Sequence, residues 1–527
     1  MDIYLEVEKL MEYSVKNGFV DEEDKILITN FVLECIELDT YRCFSDEEKE
    51  IIKKEIEKLE YPSKLLNNIV NWASENGKIK NNTATFHDLL NSKIMGQIVP
   101  RTSNIRNKFW DKYENDGKES ATEYFYDLSR KSNYIRTDRI SKNIHWTYEN
   151  NYGELEITIN LSKPEKDPKE IILAKDKISK NYPKGLLSKE NEGYMGRLEH
   201  PGRQNHRIIK LDLDKEDWYV QYSPYTYYNE HSIVFSSIER PMKIDKCSFK
   251  RLLEFVEKFP HYFIGSNADL PIVGGSILSH DHFQAGRHEF PMEKAKIKKR
   301  IKIKNYEDIE SGIVSWPMSV IRLRGDKERL IELSDKILGK WIEFNSEKID
   351  IYSHTKGERH NTITPIARFK DGKYEIDLVL RNNLTNKNHP LGIFHPHEKY
   401  HNIKKENIGL IEVMGLAILP GRLKEEINKI KEFILEIKSN NKHNENINYE
   451  EMYEKMNEDK ELTKHTEWIK YYLEKHELRD LVNKNIEEFL RNAIGDTFSK
   501  VLENCGVFKN DKNGEKEFEK FLNKIND

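Results

Sequence analysis

The chain has 527 residues, with 86 Lys and Arg against 91 Asp and Glu, and a formal charge of −5. That length is enough for about three or four domains and a large core, and so even a balance gives no polyelectrolyte character that would call for nucleic acid or a membrane surface as partner. Four cysteines, Cys35, Cys43, Cys247 and Cys505, form no CxxC pair and are too sparse for a disulfide framework.

The opening MDIYLEVEKLMEYSV carries acidic residues inside its apolar pattern, with no cationic leader and no long apolar run. Nothing along the chain approaches a membrane span, so the protein reads as soluble and cytoplasmic. Residues 1–95 read as helical. Asp21, Glu22 and Glu23 supply an acidic first turn before KILITNFVLECIEL. Ser45 with Glu48 makes a capping-box pattern before IIKKEIEKLE, and Pro62 is read as the stop of that helix. This region carries no chemistry; it reads as a packing appendage, with a lid or a dimerisation element as alternatives.

Helical texture continues through RNKFWDKYENDGKESATEYFYDLSR to Asn133. GELEITINLSKPEKDP then alternates at Leu155, Ile157, Ile159 and Leu161, as a strand ending in a turn. In YMGRLEHPGRQNHRII, Arg203, Gln204, Asn205 and Arg207 are candidates for nucleotide contacts, because Arg pairs with phosphate and Asn reads a uracil edge or a ribose hydroxyl. An ordinary polar turn explains them almost as well. YVQYSPYTYYNEHSIVFSS reads as one aromatic strand, and CSFKRLLEFVEKFP as a helix.

PIVGGSILSHDHFQAG, Pro271 to Gly286, holds the most informative chemistry. If it is extended, His280, His282 and Gln284 share one face at spacings of roughly 6.6 Å. Gly274 and Gly275 lack Cβ, so the backbone there can approach a bulky or anionic ligand. A nucleophilic histidine acting on a phosphate needs such neighbours, one to fix the ring tautomer and one to hold phosphoryl oxygens; an HxH pair is also a common metal-ligand spacing. KAKIKKRIKIK, from Lys294, reads as a solvated strand or helix face, since no aromatic residues are interleaved for stacking on bases. GERHNTITPIARFKDGKYEIDLVLRNN reads as two strands joined at Asp371-Gly372. A second HxH, His395 and His397, follows. Beyond Arg422 the chain reads as helical and charged, broken by SNNKHNENIN.

SNADLPIVGGSILSHDHFQAGRHEFPME resembles the active-site segment of the class II (bacterial) galactose-1-phosphate uridylyltransferases, of the histidine-triad superfamily. NYIRTDRI, HNTITPIAR and HPHEKYHNIKKENIGLIEVMGLAILPGR are similar as well, so the likeness spans roughly residues 95–430. The resemblance implies an α+β fold with a duplicated histidine-triad-like antiparallel core. Its parts would be a helical region 1–95, an N-terminal uridylyltransferase domain 96–245, a C-terminal one 246–430 carrying HDHFQ, and a helical extension 431–527. It implies UMP transfer from UDP-glucose to galactose 1-phosphate by double displacement. His282 would be the nucleophile, with His280 and Gln284 beside it. Gly274, Gly275, Ser276, Asn267, Arg203, Asn205 and Arg136 would bind substrate, in a protein compatible with a homodimer and without nucleic-acid or membrane partners.

Many members of this family bind a structural zinc through a CxxC pair, a later His and the first His of HxH. Here those positions hold Gly185, Ser188, Glu239 and His280, so this zinc site is expected to be lost, its loops held instead by Leu186, Leu187 and Tyr194. No cofactor is required by the implied reaction. His360, His395 and His397 remain candidates for a structural metal in the C-terminal half. Two rivals stay open: a histidine-triad nucleotide hydrolase or phosphorylase, and a non-catalytic UDP-sugar-binding protein.

Overall fold

The computed structural model describes residues 1–162, 182–440, 449–475 and 485–527. The turn expected after Leu161 and the polar residues 441–448 fall outside them. The described chain forms two compact units, residues 1–142 with 162–240, and residues 143–161 with 241–527. Its strands are β1 Ile144–Asn150, β2 Gly153–Asn160, β3 Ile209–Leu213, β4 Glu216–Tyr222, β5 Ser232–Ser236, β6 Phe263–Gly265, β7 His282–Gly286, β8 Ile297–Ile301, β9 Glu310–Val314 and β10 Val320–Gly325. A short hairpin of β11 His354–Thr355 and β12 Glu358–Arg359 follows, then β13 Asn361–Lys370, β14 Lys373–Asn382 and β15 Leu416–Pro420.

The first unit begins with the helices Ile3–Lys16, Lys25–Cys35, Asp46–Glu57, Ser63–Glu75 and Ala84–Ile98. The Ser45–Glu48 capping box is present, the serine oxygen accepting from the Glu48 N–H and the Glu48 carboxylate from the Ser45 N–H. Helix Asp46–Glu57 ends before Pro62, which instead stands directly ahead of the next helix, where a fixed φ and a missing N–H do no harm. Tyr13, Phe44, Ile52, Ile56 and Leu65 make a buried cluster among these helices, so they form a packed part of the unit. β3, β4 and β5 make an antiparallel meander. The single aromatic strand expected here is two: Pro224 interrupts the ladder, and Thr226 and Glu230 turn the chain at positive φ.

In the second unit, seven strands form an antiparallel array in the order β7-β6-β13-β14-β10-β9-β8. The long β13–β14 hairpin turns at Asp371-Gly372, both at positive φ, as that dipeptide favours. Helix Lys246–Lys258 packs on β6 and β13, and helix Lys327–Ile342 on β13, β14 and β10. β1 and β2 pair with each other, and β2 runs parallel to β15. That pairing places residues 143–161 in the second unit, a connection that sequence order conceals. Strand β8 carries the basic run, and Lys298 and Lys299 are ion-paired with Glu515 and Glu519 of the C-terminal helix Lys512–Asn526. Among the described residues no helix is long and apolar enough to cross a membrane.

Candidate active site

The HxH segment is held by the loop that precedes it. As the chain leaves β6, the Asn267 side-chain oxygen accepts from the Leu410 N–H at 2.9 Å. The buried Asp269 carboxylate accepts from Thr362 Oγ1 at 2.6 Å, Arg359 Nη2 at 2.7 Å and the Ile244 N–H at 3.1 Å. Pro271 to Gly274 then turn back, with a bridge between Ala268 and Gly274. Ile272 takes φ +73°, a costly conformation for a β-branched residue.

The two glycines serve this turn first. A Cβ on Gly274 would stand 2.5 Å from the Ala268 carbonyl oxygen and 2.6 Å from that of Leu270, and one on Gly275 would stand 2.7 Å from Asn267 Nδ2. Real Cβ contacts do not come so close, so the space beside both is taken by the chain itself. Sequence reasoning gave that space to a ligand. The next residue, Ser276, is exposed.

β7 starts at His282, so His280 lies ahead of the strand. Only His282 and Gln284 share a strand face; Phe283 and Ala285 are buried on the other. Gln284 stands opposite Gly265, where the β6 ladder ends. His280 acts on its neighbour through its main chain. Its carbonyl oxygen accepts a 2.7 Å hydrogen bond from His282 Nδ1. A carbonyl only accepts, so the proton sits on Nδ1 and Nε2 keeps its lone pair. Burial pushes the His282 pKa down to about 4, outweighing the stabilising bond from the His280 carbonyl. The ring is therefore neutral across the physiological range, and Nε2 is a competent nucleophile.

Two acidic residues that sequence reasoning passed over are built into this segment. One is Asp269. The other is Asp281, buried between the two histidines, with Arg251 of helix Lys246–Lys258 3.9 Å away. A carboxylate inside the otherwise apolar and His-rich HDHFQ was the signal available, since a buried charge demands a partner.

The remaining candidates lie in the first unit. Arg203 Nη1 donates to Tyr134 Oη at 2.6 Å, its guanidinium lying over that ring. Asn205 accepts from Ser92 Oγ and donates to the Ser132 carbonyl at 2.9 Å, so both ends of its amide are engaged within the unit. Arg136 pairs with Asp88, which also takes a two-pronged contact from Arg139. Arg207 is buried and donates to the carbonyls of Val99, Pro100, Gln204 and His206; it ties main chain together.

At the positions where a zinc cluster would sit in this unit, Ser188 Oγ donates to Glu239 Oε1 at 2.6 Å and accepts from the Gly185 N–H at 2.9 Å. Asn191 Nδ2 bonds the carbonyls of Gly185 and Ser188. These donors do not fit a zinc ion, which wants thiolate, imidazole or carboxylate around it. Leu187 is buried, and Tyr194 is partly so, its ring against His200. Leu186, expected to pack here, is 49% exposed; the hydrogen bonds hold the loop where apolar contact was foreseen.

The other three histidines bond protein groups. His360 contacts Thr355 Oγ1 at 2.6 Å and Asn383 Oδ1 at 2.7 Å, and His395 the Pro396 carbonyl and Asn407 Oδ1, both at 3.2 Å. His397 bonds the Ile393 carbonyl and stacks on His389. Among the described residues no group of three or more His, Cys, Asp or Glu is arranged for a metal ion. The second HxH lies in a loop beyond β14, where Pro396 between the histidines has no N–H for a ladder.

Residues 39–241 match the family profile described as galactose-1-phosphate uridyl transferase, N-terminal domain, and residues 254–448 match that of its C-terminal domain. The chain is 49% identical over 525 residues to a galactose-1-phosphate uridylyltransferase of Halalkalibacterium halodurans, covering 99% of each protein. It is 48% identical over 528 residues to one of Fusobacterium nucleatum, covering 100% of this chain and 99% of the relative, and 44% identical over 527 residues to one of Bacillus subtilis.

Proposed function

The chain belongs to the galactose-1-phosphate uridylyltransferase family, and from that premise we propose that it moves a uridylyl group from UDP-glucose to galactose 1-phosphate through an adduct on His282 Nε2. It is a nucleotidyltransferase. In the first half-reaction, Nε2 donates its lone pair to the α-phosphorus of UDP-glucose. The bond from that phosphorus to the bridging oxygen breaks, and glucose 1-phosphate leaves with the electron pair. In the second, a phosphate oxygen of galactose 1-phosphate attacks the same phosphorus, the P–N bond breaks, and UDP-galactose departs from a neutral ring.

The observation that carries this reading is the Nδ1–H bond to the His280 carbonyl at 2.7 Å. It fixes the ring orientation and the tautomer before substrate arrives. When Nε2 bonds phosphorus the imidazole becomes cationic, and the same carbonyl dipole then stabilises the new charge. Gln284 follows on the same face as an amide that donates to phosphoryl oxygens and neither gives nor takes a proton, which favours transfer over hydrolysis. Asn267 Nδ2 and the exposed Ser276 are the further donors we assign to the phosphates. No metal or cofactor takes part in these steps.

The test is isotope exchange. Labelled glucose 1-phosphate incubated with unlabelled UDP-glucose, with galactose 1-phosphate omitted, exchanges label into UDP-glucose if a covalent half-reaction exists. Exchange that requires galactose 1-phosphate refutes the adduct.

A further inference from the structure

We infer that Asp281, paired with Arg251, is a positioning residue for the nucleophile, fixing the peptide whose carbonyl orients His282. The inference rests on the reading of His282 given above. The His280 oxygen belongs to the peptide unit that joins His280 to Asp281. Rotating that plane would carry the acceptor away from Nδ1 and leave the ring free to choose its other tautomer.

The chain before this peptide is lightly held. From Gly275 to Ser279 the one main-chain hydrogen bond among the described residues runs from the Met242 N–H to the Leu278 carbonyl, at 2.9 Å. The ladder with β6 joins Gly265 to Gln284, three residues past Asp281. Within this stretch the Asp281 side chain reaches across to Arg251.

Arg251 is a firm anchor. Its helix is capped by Asp245, which accepts from the Ser248 N–H, satisfying a donor that the first turn would otherwise leave unpaired. Phe249, Leu252, Leu253, Phe255 and Val256 of that helix are fully buried. Side-chain exposure is 9% for Arg251 and 6% for Asp281, so the pair is desolvated, where removing one member of an ion pair is costly. At 3.9 Å the contact is an ion pair that sets separation, and Asp281 acts through the main chain.

The experiment measures adduct formation in the full-length protein by rapid quench, across UDP-glucose concentrations. Asp281→Asn is expected to lower the maximal rate about 10- to 100-fold, as misplacement by about 1 Å does, while the half-saturating UDP-glucose concentration stays within about twofold, since substrate binding is untouched. Arg251→Lys, which keeps the charge, is expected to retain most of the rate. Should Asp281→Asn fail to fold, the double variant Asp281→Asn with Arg251→Gln removes both buried charges together, and a similarly slowed rate with unchanged half-saturation is expected. A wild-type rate in either Asn variant, or a rate and an affinity that fall together, overturns the inference. An unlabelled wild-type protein overturns the nucleophile reading itself; a labelled wild type beside an equally fast Asp281→Asn removes the pair alone.

Discussion

His282 Nδ1 stands 2.7 Å from the His280 carbonyl oxygen, so the residue that opens the HxH serves its neighbour through the main chain. With Nδ1 committed, the chemistry falls to Nε2.

The pH dependence follows from burial. With the His282 pKa pushed down to about 4, adduct formation is predicted to stay flat as pH falls from 8 to about 5, and to drop with a midpoint near 4. A midpoint near 6.5 in a rapid-quench pH series would mean an ordinary, solvated imidazole.

The same shift bears on stability. Burial also lowers His200 and His465 to about 4. A folded-state pKa below the unfolded one means that the unfolded chain binds more protons between the two values. The contribution is complete above about pH 6.5 and is lost as pH falls toward about 4. Thermal unfolding temperature is predicted to decline over that window, and a plateau through it would contradict the burial of these rings.

Gln284→His tests the choice between transfer and hydrolysis. A titratable group beside the adduct is predicted to raise UMP release into water while some labelling persists. If UMP release is unchanged while transfer falls, Gln284 only positions the phosphate.

The glycine pair separates two kinds of damage. Gly274→Ala puts a Cβ 2.5 Å from a carbonyl oxygen, main chain that cannot swing away, and is predicted to cost about 1–3 kcal/mol of stability. Gly275→Ala meets the Asn267 side chain at 2.7 Å, which can turn aside. Its predicted effect is weaker substrate binding with a smaller loss of stability, read by denaturant melts beside KM for UDP-glucose. Equal melts and equal kinetics in both would refute this account of the turn.

Ser188 and Glu239 give a metal prediction. Ser188→Ala removes a 2.6 Å bond to a part-buried carboxylate and is expected to cost about 1–3 kcal/mol, with activity unaffected by exhaustive chelation in the parent protein. Stoichiometric zinc that disappears on mutation of His280 would contradict it.

Much of this was legible in the residues. HDHFQ drew attention to the histidine whose ring the His280 carbonyl holds, and Ser45 with Glu48 announced a helix start, because both are local patterns. What escaped notice depends on contacts far apart in sequence. β2 joins the second unit through β15, more than 250 residues on, and no periodicity encodes a partner at that distance. Asn205 was singled out because an amide can read a uracil edge, and its bonds to Ser92 and Ser132, 113 and 73 residues away, are visible only in the fold. His395 and His397 stand in a loop beyond β14, a placement that the HxH spacing alone does not reveal. Asp281 lay in plain view inside the motif, and its meaning waited on Arg251, 30 residues earlier.

His282 is the proposed point of covalent attachment. The most direct measurement incubates the protein with UDP-glucose carrying labelled α-phosphorus, without acceptor, and maps the labelled peptide by mass spectrometry. The predicted result is a uridylyl group on His282, glucose 1-phosphate released in equal amount, label discharged by galactose 1-phosphate, and none retained in His282→Gly. Label on another residue, or full labelling of His282→Gly, would contradict it.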